Sequence, residues 1–374
     1  YQILEEIGLS QAPESGVAYL TKVGEIAGDD GRTRFPRLVV SKMLAQAARN
    51  ITLHAQNPKH DLLLSGSRVH FGTAGAAVHV VDVQNNAYRE SHLADIYDAA
   101  RIVENMDNIH FFQRPMVARD IEDPAALDLN TLYAALKGTT KHVGVSFTEA
   151  PFMTPCISML HDIAGDEDKW RERPFVSNSN CFVVPPLRFA TESCLVMEEA
   201  VKAGMPVLLL SAGQAGATAP ASIAGAVAQA LSEVVAGLIY VNAMVPGHPC
   251  IVGTWPFVSD LRTGAMSGGS GEQGLLTSAC AQMLRHFDLP GGAASGMADS
   301  KMPDAQSGYE KGSTAVLAGL AGLNMVYEAA GMHASLLGFC LESLIIDNDM
   351  LGQCMRCVRG VEVNEKTLGV DVMK

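Results

Sequence analysis

Carboxylates, amides and aromatic rings gather near the ends of short apolar runs in this chain. Phe112, Gln113 and Arg114 close IHFFQRP, and Phe147 and Glu149 follow HVGV. Asn178 and Asn180 stand in FVSNSNCFVV, and Trp255 and Phe257 follow PGHPCIVGT. Asp299 opens the polar stretch ADSKMPDAQSGYEKG, while Glu328 and His333 sit in NMVYEAAGMH. Aromatic residues are only 6% of the chain, yet Phe112, Phe147, Phe182, Trp255 and Phe257 fall on or beside these ends. Aromatic faces next to carboxylates suit a ligand cation that cannot donate hydrogen bonds, such as a quaternary ammonium. Each desolvated ring contributes roughly 0.5–2 kcal/mol to such a cage. The competing reading packs Phe112, Phe147 and Phe182 into the core against surrounding helices.

Other chemistries have less support. The histidines show neither H-x-x-x-H nor H-E-x-x-H spacing, so no metal site is expected. No G-x-S-x-G elbow marks a serine nucleophile. GTAGAA and SAGQAGATAP lack the G-x-G-x-x-G dinucleotide fingerprint. SGGSGEQG leads into a helix, but Glu272 in its first turn repels an anion there, so its glycines read as places for close approach by a large flat partner. The 8 cysteines read as buried thiols, and Cys354-Met-Arg-Cys357 lacks a second pair that would make it a zinc site. No acid–base dyad stands out by spacing, which suits a reaction needing no strong protein base.

These groups need a scaffold that brings many chain segments to one place. The first sixty residues read as helices, giving an N-terminal helical segment over 1–67 packed on a domain spanning 68–374. From there apolar runs alternate with helical ones. Strands are expected at 69–75, 109–115, 142–147, 175–184, 206–213 and 238–245 (LIYVNAMV), with a weak seventh at LPGGAAS and an eighth at 324–331. About eight strand–helix alternations without a hydrophilic linker predict an α/β fold, a (β/α)8 TIM barrel whose chemistry lies on the loops after the strands. ADSKMPDAQSGYEKG is then a rim loop. The alternative makes it a solvated helix start, with Asp304 as cap and Glu310 and Lys311 as surface charges. A net charge of −13 argues against nucleic acid or an anionic membrane as partner. No uninterrupted apolar run of membrane-spanning length is evident, so a cytoplasmic protein is expected; apolar outer helices make a homo-oligomer plausible.

ADSKMPDAQSGYEKG, AGLNMVYEAAGMHASLLGFCLESLIIDNDMLGQ and RGVEVNEKTLGVD together resemble the trimethylamine methyltransferase family, more narrowly its non-pyrrolysine branch, which includes glycine betaine methyltransferase. SGGSGEQ is similar too, and known members are longer at both ends, so this chain is expected to be a fragment. The resemblance implies a TIM barrel that passes a methyl group from a quaternary or tertiary amine to the Co(I) corrinoid of a small corrinoid-binding carrier protein, with no cofactor held tightly by the barrel itself. The other branch holds its amine with pyrrolysine; ordinary residues throughout this chain favour an already quaternary substrate. Under this reading Glu149, Asp299 and Glu328 are candidate catalytic charge partners for the cation. Phe147, Trp255 and Phe257 are candidate cage aromatics, and Gln113, Asn178, Asn180 and His333 are candidates to bond a substrate carboxylate. A non-catalytic amine-binding barrel, a zinc-dependent thiol methyltransferase or a decarboxylase are the rival readings.

Overall fold

Continuous apolar runs become strands where both faces are covered, which is the situation inside a parallel barrel. The computed structural model describes Tyr1–Lys374 and places eight such strands in one parallel sheet. They are β1 (His70–Phe71), β2 (Phe112–Gln113), β3 (Val143–Val145), β4 (Val176–Asn180), β5 (Val207–Ser211), β6 (Cys250–Thr254), β7 (Gly291–Ala294) and β8 (Met325–Tyr327). Neighbours pair in sequence order, and β8 pairs back to β1. A parallel bridge between Gly72 and Phe111, with the His110 amide donating to the Phe71 carbonyl at 2.7 Å, joins β1 to β2 and closes the ring. Each strand leads to a helix: α1 (Leu93–Glu104), α2 (Pro124–Gly138), α3 (Met153–Ala164), α4 (Thr191–Lys202), α5 (Ile223–Met244), α6 (Gly271–His286), α7 (Ala305–Leu320) and α8 (Leu341–Arg359). This is the expected TIM barrel.

The sixth strand is not where the apolar pattern put it. LIYVNAMV forms the last turns of α5, and the strand is the following CIVGT. Residues Val234 to Asn242 are all buried, so the run has no polar face to betray its helical period. Gly237, which reads as a helix stop, lies under the ring of Phe182, where a Cβ would collide. α5 is also long and apolar enough to cross a membrane by composition, contrary to the expectation that no run reaches that length. It is mostly buried within the fold, with Tyr240 donating to the Glu198 carboxylate on α4.

Residues 1–67 are less helical than expected. The three expected helical stretches appear as a short π-helix at Ile3–Ile7 and helices Glu14–Val23 and Arg37–Gln46, but short strands at Leu9–Ser10, Ile26–Ala27 and Arg32–Arg34 lie between them. A hairpin, Ile51–Leu53 with Leu62–Leu64, lies across the end where the barrel strands begin. Asn57 donates to the Thr140 carbonyl ahead of β3, and Asn324, ahead of β8, donates to the Gly66 and Arg68 carbonyls. The hairpin covers that end and leaves the opposite one for ligands.

Alternation along the strands sorts side chains between barrel interior and helix layer. The interior takes Phe111, Gln113 and Tyr327, and adjoining strands make room with glycine: a Cβ on Gly72 would strike Phe111, one on Gly144 the Gln113 amide, and one on Gly292 Tyr327. Outside, α7 and α8 are joined by a buried ion pair, Lys311 Nζ to Asp347 Oδ2 at 2.7 Å. The same carboxylate oxygen accepts from the Gly331 amide at 2.8 Å. Removing one member strands a charge away from water, whereas removing both does not. Asp347→Ala is therefore expected to lower the unfolding free energy by about 3–5 kcal/mol in urea denaturation, with Lys311→Met in the same chain recovering most of the loss.

Candidate active site

At the end of the barrel where the strands finish, a cavity of ≈ 190 Å³ is lined by Ala74, Gly75, Gln113, Arg114, Ser146, Ser179, Cys181, Leu210, Trp255, Phe257, Glu328 and Leu336, among others. Three of these side chains carry a buried polar atom with no partner: Nε of Arg114, Nε1 of Trp255 and Oε2 of Glu328. Nine other buried polar atoms without a partner are spread over the rest of the fold, but three around one space mark it as the candidate site for a polar ligand.

Each is placed by a specific local device. Glu328 follows the interior-facing Tyr327, and simple alternation would send it toward the helices. Its backbone is left-handed instead, φ +61°, which turns the carboxyl back to the cavity at a cost of about 1–3 kcal/mol for a residue with a Cβ. Trp255 and Phe257 are held by an extension of the sheet beyond the barrel, in which their amides donate to the Ser211 and Gly213 carbonyls at 2.9 and 2.8 Å. The Trp255 ring also packs on Tyr327, centroids 5.1 Å apart. Arg114 ends β2, its amide donating to the Gly144 carbonyl at 2.9 Å. Ser335 ties three rim loops together: its hydroxyl donates to Asp299 Oδ1 at 2.6 Å and accepts from the Gly268 amide at 2.9 Å.

Of the residues singled out in the sequence, the cavity brings together Glu328, Trp255, Phe257 and Gln113. The rest stand elsewhere. Asn178 and Asn180 alternate with the cavity-lining Ser179 and so share the opposite face of β4; Asn180 donates to the Ser193 carbonyl in the first turn of α4. Phe147 is core, as are Phe112 and Phe182, which fits the packing alternative for all three. Glu149 is exposed in a turn ahead of α3. Asp299 belongs to the rim network through Ser335. His333 is buried behind the loops, its Nε2 2.7 Å from the Ser343 hydroxyl and 3.3 Å from Lys311 Nζ. Burial, with Lys311 beside it, lowers the His333 imidazole to about 3.

Sequence reasoning passed over Cys181, Ser146 and Ser179, and left Arg114 without a role; their positions at strand ends were the available signal. Cys181 and Cys357 are exposed, unlike the other six cysteines, so the buried-thiol reading fails for those two. The polar stretch after β7 proves mostly structural. Asp304 caps α7 in a capping box with Ser307, as the alternative held. Glu310 and Lys311, however, are buried rather than surface charges, and Glu310 accepts from the Asp299 and Ser300 amides.

Burial with no compensating donor raises the Glu328 carboxyl from 4.5 to about 8. Between those values the folded chain keeps a proton that the unfolded chain has released, so stability falls as pH rises through the window, by up to ~1.4 kcal/mol per pH unit. Urea titrations of the ligand-free protein at pH 5.5 and 8 are expected to show this loss in the wild type. In Glu328→Gln the loss shrinks, leaving the variant the more stable protein at pH 8.

Comparison with known proteins places this site in context. The family model described as trimethylamine methyltransferase matches residues 1–374. A trimethylamine methyltransferase of Desulfitobacterium hafniense is 30% identical over 376 residues, covering 100% of this chain and 75% of the relative. A glycine betaine methyltransferase from another strain of that species is 29% identical over 375 residues, covering 100% of this chain and 77% of the relative. Among solved structures, a dihydropteroate synthase from Coxiella burnetii matches 82% of this chain and 98% of its own, with a TM-score of 0.50 and 11% identity, a likeness of fold alone. The chain belongs to the trimethylamine methyltransferase family, whose members are methyl-transferring enzymes.

Proposed function

We propose that this chain takes a methyl group from a quaternary or tertiary amine of the glycine betaine type and delivers it to the Co(I) corrinoid of a separate small carrier protein. The observation that carries the reading is the buried Glu328 carboxyl, unpartnered at one oxygen and facing the same cavity as Trp255 and Phe257. At ≈ 190 Å³ that cavity is well below the roughly 300–1,000 Å³ of pockets for drug-sized ligands, in keeping with a substrate of a few heavy atoms. A glycine betaine methyltransferase among the relatives supports the substrate class.

A docked, reduced corrinoid supplies the nucleophile that accepts the methyl carbon. The chain's own residues do the rest. The C–N bonding pair stays on nitrogen, and the leaving group is a neutral tertiary amine when the substrate is quaternary, so no proton must be moved first. Glu328 compensates the ammonium charge, the two aromatic rings pack beside it, and the cavity, open on one side, holds the methyl group in line for a carrier docked over its mouth. Such alignment contributes on the order of 7–11 kcal/mol to lowering a barrier.

For the carrier, the rim offers exposed apolar side chains: Leu261 is 72% exposed and Leu337, next to the cavity-lining Leu336, is 59% exposed. The glycines of SGGSGEQG do not serve as an open cradle at Gly268 and Gly269. Those two face inward, where a Cβ would strike Met297 and Glu310. A cytoplasmic setting and a homo-oligomer remain part of the proposal, the latter supported by exposed Leu320, Ile345 and Ile346 on α7 and α8.

The test mixes the protein with a reduced corrinoid carrier and a panel of methylated amines and follows the Co(I) absorbance. Consumption is expected with a quaternary amine, with kcat/KM reduced on the order of 10- to 100-fold in Glu328→Gln and in Trp255→Leu. Binding of quaternary amines without any consumption of Co(I) would favour a binding-only barrel. Because Glu328 must ionise to pair with a cation, affinity is expected to rise with pH from 6 to about 8 and then level off.

A further inference from the structure

We propose that Arg114 reads a carboxylate on the substrate, so that the preferred substrate is a zwitterion rather than a bare methylamine or a quaternary amino alcohol. This rests on the reading of the cavity as the methylated-amine site, and it gives that site its specificity.

Arg114 lines the cavity from the end of β2, directly after Gln113, and its Nε is buried without a partner. A guanidinium does not shed its proton inside a protein, and half-buried Arg114 holds one buried nitrogen, Nε, that no group of the chain satisfies, a place that favours an anionic partner. The chain supplies no such anion. The carboxylate with the strongest influence on Arg114 is Asp128, whose two oxygens already accept from Thr148, from its amide at 2.7 Å and its hydroxyl at 2.8 Å. Glu328 shares the cavity yet forms no ion pair with Arg114, and its buried Oε2 has no partner. The thiol of Cys181, also in the cavity wall, lies within electrostatic reach of both.

A cavity of ≈ 190 Å³ therefore presents a fixed positive group and a group able to become negative, separated from each other and each open to a ligand. A ligand with a positive nitrogen and a carboxylate a few bonds apart satisfies both at once. A tetraalkylammonium satisfies only Glu328 and meets a like-charged guanidinium within the same small volume. A quaternary amino alcohol offers a hydroxyl where Arg114 calls for a charge; guanidinium and carboxylate match two bonds to two. The side chains first considered for the carboxylate are less suited: Asn178 and Asn180 face the helix layer, and His333 is engaged with Ser343 and Lys311. Gln113 remains beside Arg114 as a neutral neighbour.

Titration calorimetry on the full chain at pH 8.5, with glycine betaine, choline and tetramethylammonium as probes, decides the matter. The wild type is expected to bind glycine betaine on the order of 10- to 100-fold more tightly than either other cation. Arg114→Met is expected to lose that preference, with tetramethylammonium bound as well as before or better, and Arg114→Lys to fall between. Equal binding of choline and glycine betaine by the wild type would overturn the proposal, and so would unchanged glycine betaine affinity in a cooperatively folded Arg114→Met. The wild-type comparison stands even where the variant does not fold. If none of the three cations binds, the amine site itself is refuted and this proposal with it; if tetramethylammonium binds but glycine betaine has no advantage, only the role of Arg114 falls.

Discussion

A charge or a hydrogen-bonding atom taken from water must find a partner, and the barrel mouth is organised around three that have none. The Arg114, Trp255 and Glu328 side chains each reach one small cavity with an unpaired atom. Leaving such atoms bare is unfavourable by about 1–3 kcal/mol each, more where a charge is involved. The scaffold absorbs this: the left-handed turn at Glu328, the sheet extension under Trp255 and the Ser335 link between loops are all held by contacts within the chain itself. Ligand atoms then replace missing partners instead of competing with existing ones.

That division between scaffold and site explains the polar stretch after β7. Its ionisable groups invite a chemical role, yet most are spent on geometry. Glu310 gathers the loop's amides, Lys311 neutralises Asp347 between two helices, and Asp304 starts α7. A carboxylate with two amide donors is satisfied and has little left for a substrate. Glu328, with fewer charged neighbours and a duller sequence context, is the group left free.

The fold was largely legible because alternation of strand and helix survives in composition, and seven of the eight strands sit on the expected apolar runs. The sixth did not, since a helix buried on every side looks like a strand at the scale of eight residues. The site was legible only in part. Strand ends locate the rim, which captured Glu328, Trp255, Phe257 and Gln113, but facing depends on single-residue parity. Asn178 and Ser179 differ by one position and by the whole thickness of the sheet. Polarity favoured the asparagines; geometry favoured the serine. Arg114 shows the converse, a residue beside the parity rule whose reach to the cavity depends on a long side chain at the strand's end.

The methyl transfer proposed for this site sets a further condition on Glu328. In transfer from a quaternary nitrogen, the positive charge on nitrogen fades as the C–N bond lengthens. A partner that clings to the full charge stabilises the bound substrate more than the transition state, and so works against the rate. A carboxyl whose ordinary state in the empty cavity is neutral, its proton retained up to about pH 8, forms such a pair only weakly near neutrality. On this reading the dry, donor-poor setting of Glu328 holds a cation well enough to align it, without holding it so well that the methyl group stays.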